Sequence, residues 1–339
     1  MEKIKKYLPG LFFTTIIALS SFQIQRINFI KEMHFSSLII AILLGVIIRN
    51  IFRSPKILQP GINFSLKKVL RLAIILLGFK LSFTQVASIG GKGLILVLIV
   101  SGFTLLFAKW FGQKLGLSEN LALLIGTGTS ICGTAAIAAV APVLTGKDDD
   151  IKDDITFAIG TVTLFGTMAM LLYPIIFRSF HLPTLLYAVW TGSSIHEVAQ
   201  VVAAGFAAGN QAGQLATLVK LTRVLLVIPL AIVLGIRQIK MEKTKSRSKL
   251  NFKKITIPWF VFGFLAVVII NSLNIIEQNM VNELIAVDKF LLTLAMAGMG
   301  LETSFNKIKK VGIRPFYVGF AVWIFIGFFA YIITRLLFV

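Results

Sequence analysis

Apolar residues in this chain are grouped into long runs, and short polar loops separate the runs. A helix of about 20 apolar residues is long enough to cross the hydrocarbon core of a bilayer. The pattern predicts an all-α polytopic membrane protein with about 10–11 transmembrane helices, and it leaves no stretch for a soluble domain, so residues 1–339 are expected to form a single integral membrane domain. The predicted segments cover residues 8–21, 36–52, 69–83, 94–111, 120–145, 155–177, 185–209, 212–236, 259–273, 290–303 and 316–338.

Composition supports a membrane protein and explains the strong positive charge. Hydrophobic residues make up 57% of the chain and charged residues 14%, a balance that is not typical of soluble globular domains. The net charge of +20 could indicate a nucleic-acid partner, but the basic residues lie in short loops between the apolar runs. Membrane proteins concentrate Lys and Arg in cytoplasmic loops, so topology accounts for the charge and no nucleic-acid partner is expected.

The distribution of basic loops also predicts an orientation in the bacterial cytoplasmic membrane. The N-terminus and the long basic loop at 237–254 are expected to be cytoplasmic, and the C-terminus is expected outside. The basic start at residues 1–7 is typical of a signal peptide, but no small-residue cleavage site follows it, so we predict a retained first span.

The segment at residues 120–145 contains the run GTGTSICGTAAIAAVAP, which is unusual for a membrane span. Gly126, Gly128 and Gly133 each weaken a helix by about 1 kcal/mol relative to alanine. Irregular backbone at membrane depth is tolerated only where protein or a water-filled cavity covers it. We therefore predict an interrupted helix that lines a site. Close packing of helices through small residues is the alternative interpretation.

A second interrupted segment is predicted at residues 185–209, where WTGSSIHEVAQVVAAG places His196 and Glu197 at membrane depth. Placing a carboxylate in the centre of a bilayer costs about 2.5–3.5 kcal/mol even on the least severe insertion scale, so its presence there requires an explanation. One reason is a capping box that joins Ser194 to Glu197. The other is exchange of a proton or coupling ion by Glu197 or His196, with Gln200 within reach of either on a helix.

The chain contains two internal similarities. Residues 127–141 match residues 191–205 at a spacing of 64, and residues 72–93 match residues 294–315 at a spacing of 222. The second pair lies seven predicted spans apart and so runs in opposite directions, which is typical of inverted repeats in transporters. The two interrupted segments of the first pair can either cross the membrane or re-enter from opposite faces, and the sequence leaves both options open.

Two cations, Lys220 and Arg223, lie inside one predicted span and share a helix face. Both are too far from the span ends for easy snorkelling, and like charges repel unless an anion lies beside them. Helices that begin at the breaks also present free N–H groups and a positive dipole end. These features predict a pocket for a small anion, with hydroxyl groups as further donors. A structural ion pair with Glu197 is the alternative.

The predicted site is summarised by two sets of residues. The substrate-binding set is Thr129, Ser130, Gly133, Thr134, Ser193, Ser194, His196, Gln200, Lys220 and Arg223. The proton- or ion-coupling set is Glu197 and His196. Thr161 and Thr163 could line the same cavity, although a packing face is the alternative, and Lys80 and Glu302 are expected to be interfacial or paired.

Four stretches carry a family resemblance: RLAIILLGFKLSF, GTSICGTAAIAAVAPV, GSSIHEVAQVVAAG and VKLTRVLLVIP. At these motifs the chain resembles the YeiH-type family of bacterial inner-membrane proteins, to which sulfate export is ascribed, and the resemblance extends over nearly the whole chain. That family is similar in architecture to the sodium/proton antiporter and bile-acid symporter group. The resemblance implies a secondary active transporter, expected to export a small anion such as sulfate or an organosulfonate, with H⁺ or Na⁺ as coupling ion and a homodimer as a possible assembly.

Other functions fit the sequence less well. A cation/proton antiporter would use Glu197, but such proteins commonly depend on buried aspartates, and no aspartate falls inside a predicted span. An intramembrane hydrolase would pair Ser130 with His196, but GTSIC departs from the G-x-S-x-G pattern at its last position. Three histidines and one cysteine, with no H-E-x-x-H motif, make a metal centre improbable. We therefore expect no enzymatic activity, no metal and no cofactor.

Overall fold

The computed structural model describes residues 5–28, 30, 36–52, 55–141, 144, 148–242, 258–303 and 312–339. Within these ranges the chain consists of helices joined by short non-helical stretches and contains no strand, which confirms the predicted all-α fold. The α-helices are α1 (Leu8–Gln25), α2 (Ser37–Ile51), α3 (Gln59–Phe64), α4 (Leu70–Leu76), α5 (Phe83–Lys114), α6 (Glu119–Ser130), α7 (Thr134–Val140), α8 (Asp148–Ser179), α9 (Thr184–Ser194), α10 (Val198–Ala207), α11 (Asn210–Leu225), α12 (Val227–Glu242), α13 (Trp259–Ser272), α14 (Gln278–Glu302) and α15 (Ile313–Phe338).

The helices include enough long apolar segments for a multi-pass membrane protein. Among the described residues, six stretches are long and apolar enough to cross a membrane: Leu8–Gln25, Ile89–Lys114, Ile151–Ser179, Asn210–Leu234, Gln278–Glu302 and Ile313–Phe338. Shorter apolar helices lie at Ser37–Ile51, Val198–Ala207 and Trp259–Ser272. The chain is therefore a polytopic membrane protein. The number of spans, the inverted repeats and the orientation of the termini stay predictions.

The chain contains two compact units, and the single integral membrane domain stays a prediction. Unit 1 contains Met1–Ser88, Gly209–Gln214 and Trp259–Lys307. Unit 2 contains Ile89–Ala208, Leu215–Pro258 and Ile308–Val339. Residues 243–254 of the predicted basic loop lie outside the described part of the chain, as do residues 304–311 of the second repeat.

Unit 1 is held together by close approaches between helix backbones. Gly45 of α2 lies against Gly300 of α14, where a Cβ on either glycine would come within 3.0 Å of backbone atoms. Gly10 and Gly61 make an equally close contact between α1 and α3. Small residues at such crossings allow helices to pack closely where lipid provides no hydrophobic drive for association.

Unit 1 also contains a buried ion pair that contradicts one of the sequence predictions. The carboxylate of Asp288 is fully buried within α14, and its Oδ2 accepts a hydrogen bond of 2.7 Å from Lys80 Nζ. The prediction that no aspartate lies inside a span is wrong, because α14 begins at Gln278 rather than at Phe290. Lys80 is paired as expected, and Glu302 accepts a hydrogen bond from Gln59 Nε2.

Replacing Asp288 with asparagine is expected to destabilise the protein. Removing one partner of a buried ion pair leaves the other charge uncompensated, which typically costs about 3–5 kcal/mol. We expect a lower midpoint of thermal unfolding in detergent for Asp288→Asn, and recovery of part of the loss in the double variant Lys80→Met/Asp288→Asn. If the two substitutions were simply additive, the pair would contribute nothing specific to stability.

Unit 2 contains the residues of the predicted substrate-binding and coupling sets. Its apolar core is formed by buried residues of α5, α6, α7, α8 and α15: Ala108, Leu121, Leu124, Ile125, Ile137, Val140, Ala158, Val162, Val318 and Val322. Helix α9 is fixed to α15 by a hydrogen bond of 2.7 Å from Trp190 Nε1 to the carbonyl oxygen of Gly327. The Trp190 ring also stacks on Tyr173 of α8 with 3.9 Å between ring centroids.

Candidate substrate site at two helix breaks

Two short non-helical stretches in unit 2 interrupt the regular helices. The first break, Ile131–Gly133, separates α6 from α7, and the second break, Ile195–Glu197, separates α9 from α10. The two breaks occupy equivalent positions in the repeat that is spaced by 64 residues. We call these two breaks, together with the side chains of Lys220 and Arg223, the break site.

The first break depends on glycine at position 133. Gly133 has a φ of +72°, a conformation that residues with a side chain rarely adopt. A Cβ at this position would also overlap the side chain of Glu197 from the second break. Gly133 therefore allows both the turn of the first break and the close approach of Glu197.

Lys220 of α11 joins the two breaks. Its side chain is fully buried, and its Nζ donates hydrogen bonds of 2.7 Å to the carbonyl oxygens of Ile131 and Ile195. These two isoleucines are equivalent residues of the repeat, so one ammonium group binds the equivalent carbonyl oxygen in both breaks.

Arg223, one helical turn further along α11, makes a similar set of contacts. Its Nε donates to the carbonyl oxygen of Ser130, and its NH2 group donates to that of Thr129. Its NH1 group donates to the carbonyl oxygens of Ser193 at 2.8 Å and Ile195 at 3.2 Å. Thr129 and Ser193 are again equivalent in the repeat, so both cations hold the two breaks in a matched way.

These contacts have a clear physical reason. The last carbonyl groups of a helix have no partner within the helix, and an unsatisfied polar group at membrane depth costs several kcal/mol. Helices α6 and α9 both end at the breaks, and the two cations satisfy their terminal carbonyls. The structure also overturns the alternative of an ion pair, because neither cation lies within salt-bridge distance of Glu197 among the described residues.

Glu197 is placed differently from the sequence interpretation. It is the N-cap of α10 in an extended conformation, and Gln200 closes the capping box by accepting a hydrogen bond of 3.0 Å from the Glu197 N–H. The proposed box from Ser194 to Glu197 is wrong, because Ser194 is the last residue of α9. His196 and Glu197 therefore do not lie on a helix, and Glu197 projects towards the first break.

Glu197 and Gln200 connect the second break to neighbouring elements. The Glu197 carboxylate accepts hydrogen bonds from the N–H and hydroxyl of Thr134, and it lies near the hydroxyl of Thr163 on α8. Gln200 Nε2 lies 3.4 Å from both the carbonyl oxygen of Thr163 and the hydroxyl of Thr167. A Cβ at Gly166 would overlap the Gln200 amide, so the glycine makes room for this contact.

The predicted hydroxyl donors have different environments. Ser193 and Ser194 donate to carbonyl oxygens of their own helix at Val189 and Trp190, so their backbone carbonyls, and not their hydroxyls, are available to neighbours. Within the two breaks and the predicted donor set, three buried polar atoms have no hydrogen-bond partner: Ser130 Oγ, His196 Nδ1 and Glu197 Oε1. Ser130 and His196 are each 1% exposed. These atoms are the ones free to contact a bound molecule.

Sequence reasoning missed part of the break site. The predicted residues include Thr163 but not Gly166 and Thr167, which lie at i+3 and i+4 from it on α8, a spacing that places all three on one helix face and that could have identified them. Thr161 lies elsewhere, because its methyl group faces Gly319 of α15 and its hydroxyl bonds to Phe157. The alternative of helix packing therefore holds for Thr161 and not for Thr163.

Comparison with known proteins assigns the family. The sequence model of a family described as conserved hypothetical protein 698 matches residues 9–319. The UPF0324 inner membrane protein YeiH of Escherichia coli O6:H1 is 38% identical over 328 residues, which cover 95% of this chain and 92% of the relative. The chain belongs to this UPF0324 family. UPF0324 membrane proteins of Bacteroides thetaiotaomicron (33% identity, 94% of this chain and 96% of the relative) and Yersinia pestis (36%, 95% and 91%) are also similar.

The structure explains how the motifs of this UPF0324 protein relate to one another. The stretches GTSICG and GSSIHE form the two breaks, and KLTR supplies the two cations that hold them. Within the described residues there is no group of three or more His, Cys, Asp or Glu side chains that could hold a metal ion.

Proposed function

We propose that this protein is a secondary active transporter that moves a small anion of the sulfate or organosulfonate class out across the cytoplasmic membrane, with the substrate bound at the break site. The observation that carries the proposal is the net charge of that site. Two cations, Lys220 and Arg223, are fully buried in a membrane protein, and one partly exposed carboxylate, Glu197, lies near them.

The backbone does not remove this charge. Each break joins the C-terminal end of one helix to the N-terminal end of the next, and the partial charges of such ends are roughly −0.5 and +0.5. The contributions therefore cancel within each break, and the formal charge of +1 remains. A buried charge without a counterion is expensive, so a bound anion would stabilise the site.

The unpaired polar atoms suit an oxyanion. The hydroxyl of Ser130 and a protonated Nδ1 of His196 can each donate a hydrogen bond, and both are buried without a partner. Charge-assisted hydrogen bonds to an anion are about twice as strong as neutral ones. The combination of fixed positive charge and free donors favours an anionic substrate over an enzymatic role, for which the break site offers no activated nucleophile.

A cation/proton antiporter remains the second candidate, because Asp288 is a buried aspartate within a span. Two observations count against it. Asp288 is neutralised by Lys80 at 2.7 Å, and the net positive charge at the break site repels a cation. In this alternative, a sodium gradient applied to proteoliposomes would move protons, and sulfate would not move.

Replacing Lys220 with glutamine tests the proposal. In proteoliposomes, the wild-type protein is expected to take up radiolabelled sulfate and to be stimulated by sulfate on the opposite side. Because Lys220→Gln removes the net charge of +1 but retains donors for a carbonyl, the KM for sulfate should rise at least about tenfold, or 1.4 kcal/mol.

The matched control is Lys109→Gln, which removes a partly exposed lysine paired with Glu119 at 2.9 Å. It should leave the KM for sulfate unchanged. An unchanged KM in a folded Lys220→Gln variant would contradict a role of this charge in anion binding. A panel of small anions, including taurine, would then identify the preferred substrate by competition.

A further inference from the structure

We propose that Glu197 occupies the position that the transported anion takes at the break site, so that an anion binds only as Glu197 takes up a proton, and one proton and one dianion move together. This inference rests on the proposed function and deepens it, because it names both the coupling ion and the charge of the substrate.

The first step is the placement of Glu197 between the two breaks. Its side chain lies directly on Gly133 and receives the N–H and hydroxyl of Thr134, while its own backbone caps α10. The donors that face this carboxylate are those that an incoming oxyanion would need. Only one negative group can accept these hydrogen bonds at a time, so the carboxylate and the substrate compete.

The second step is the route of the proton. Glu197 Oε1 has no hydrogen-bond partner, so it can accept a proton from water on the side to which the site is open. Protonation neutralises the carboxylate and weakens its hydrogen bonds to Thr134, because bonds to charged groups are the strong ones. The N–H and hydroxyl of Thr134 can then donate to the anion instead of to Glu197. When the anion leaves, the proton leaves Glu197 for water.

The ionisable groups around Glu197 are compatible with this exchange. Lys220 of α11 acts on Glu197 by electrostatic attraction, and Cys132 of the first break also lies within electrostatic range. His196 precedes Glu197 in the second break, and Arg223 donates a hydrogen bond to the carbonyl oxygen of Ile195, the residue before His196. From α8, the groups that contact Glu197 and Gln200 are hydroxyls and a carbonyl, which carry no charge.

The third step is the balance of charge. The empty site has a formal charge of +1, and a dianion that binds together with one proton brings this charge to zero. A monoanion bound with a proton would leave the charge at +1, and a dianion bound alone would change it to −1. A monoanion bound alone would also give zero, but it would have to displace the charged Glu197 carboxylate. Once Glu197 is protonated, only a dianion gives the neutral loaded state, which is the least costly to bury.

The same charge balance predicts the direction of transport. A dianion and a proton together carry one negative charge, so an interior-negative membrane potential drives them outward. The driving force is about 2.3 kcal/mol for each 100 mV. An inward proton gradient opposes this movement. Export is therefore favoured where the free energy from the membrane potential exceeds the free energy of the opposing pH gradient.

The test uses the full-length protein in proteoliposomes with radiolabelled sulfate and a lumenal pH dye, with the potential held at zero by potassium and valinomycin. For one proton per sulfate, an external pH one unit below the lumenal pH should accumulate sulfate about tenfold in wild-type vesicles. Addition of external sulfate without a gradient should acidify the lumen, and a variant is not needed for that measurement.

Glu197→Gln separates coupling from transport. The variant cannot take up the proton, so it should still exchange sulfate for sulfate but should show no accumulation under the pH gradient and no acidification. Glu119→Gln, which neutralises a half-exposed glutamate at the start of α6, is the control and should behave as the wild type.

Each outcome has a defined meaning. Sulfate exchange in wild-type vesicles without acidification, or full pH-driven accumulation by Glu197→Gln, would overturn the coupling role and leave the proposed function intact. Absence of movement by sulfate and every other anion in the panel would overturn both. If Glu197→Gln does not fold, acidification by the wild-type protein alone decides whether a proton travels with sulfate.

Discussion

Replacing Arg223 with lysine is expected to abolish transport although the positive charge is kept. The guanidinium group donates to carbonyl oxygens of both breaks at once: those of Thr129, Ser130, Ser193 and Ile195. An ammonium group is a compact point charge and cannot reproduce this planar, forked arrangement. The carbonyl oxygens of Ser130 and Ile195 keep a second donor, but those of Thr129 and Ser193, on opposite breaks, would have to share one ammonium group. Each buried group left unpaired costs about 1–3 kcal/mol.

We expect kcat/KM for sulfate exchange to fall at least about 100-fold in Arg223→Lys, equivalent to about 2.7 kcal/mol, together with a lower midpoint of thermal unfolding. Arg335→Lys, at an exposed position near the end of α15, provides the matched control and should have no effect. Transport at the wild-type rate by Arg223→Lys would show that only charge is needed at this position, and the geometric role of the guanidinium would have to be abandoned.

Replacing Gly133 with alanine is expected to cause the second large loss. A residue with a side chain at a φ of +72° is strained, at a cost of about 1–3 kcal/mol, and the added Cβ would overlap Glu197. Because the overlap displaces the carboxylate from Thr134, we expect at least a tenfold fall in transport in addition to lower thermal stability.

Two further variants separate backbone strain at Gly133 from the overlap with Glu197. Gly102→Ala places a Cβ in open space on α5 and should leave stability unchanged or raise it by up to about 1 kcal/mol. In a Glu197→Ala background, Gly133→Ala should cost less stability than in the wild type, because only the backbone strain remains. Equal costs in the two backgrounds would indicate that the overlap with Glu197 has no energetic role.

The sequence predicts the class of fold and the location of the unusual segments because both depend on local composition. Long apolar runs indicate membrane spans directly, and glycine with hydroxyl residues around Gly133 indicates a weak point in a helix. The repeat at a spacing of 64 also relates Ile131 to Ile195 before any contact is known. These features do not require knowledge of which segments meet in space.

The partners of the two cations could not be predicted in the same way. Carbonyl oxygens belong to every residue, so sequence gives no sign that Lys220 bonds to Ile131 and Ile195. The position of Asp288 was misjudged for a related reason. An apolar pattern defines only the central part of a helix, and a buried lysine partner from a distant segment allowed α14 to extend past the expected boundary.

The double attachment of Lys220 has a consequence for how access to the substrate could alternate. If one break moved without the other, the ammonium group would keep one carbonyl and lose its equivalent, which would then be stranded in a water-poor interior. If the protein transports as proposed, the part of α11 that carries Lys220 and Arg223 is therefore expected to move together with the two breaks.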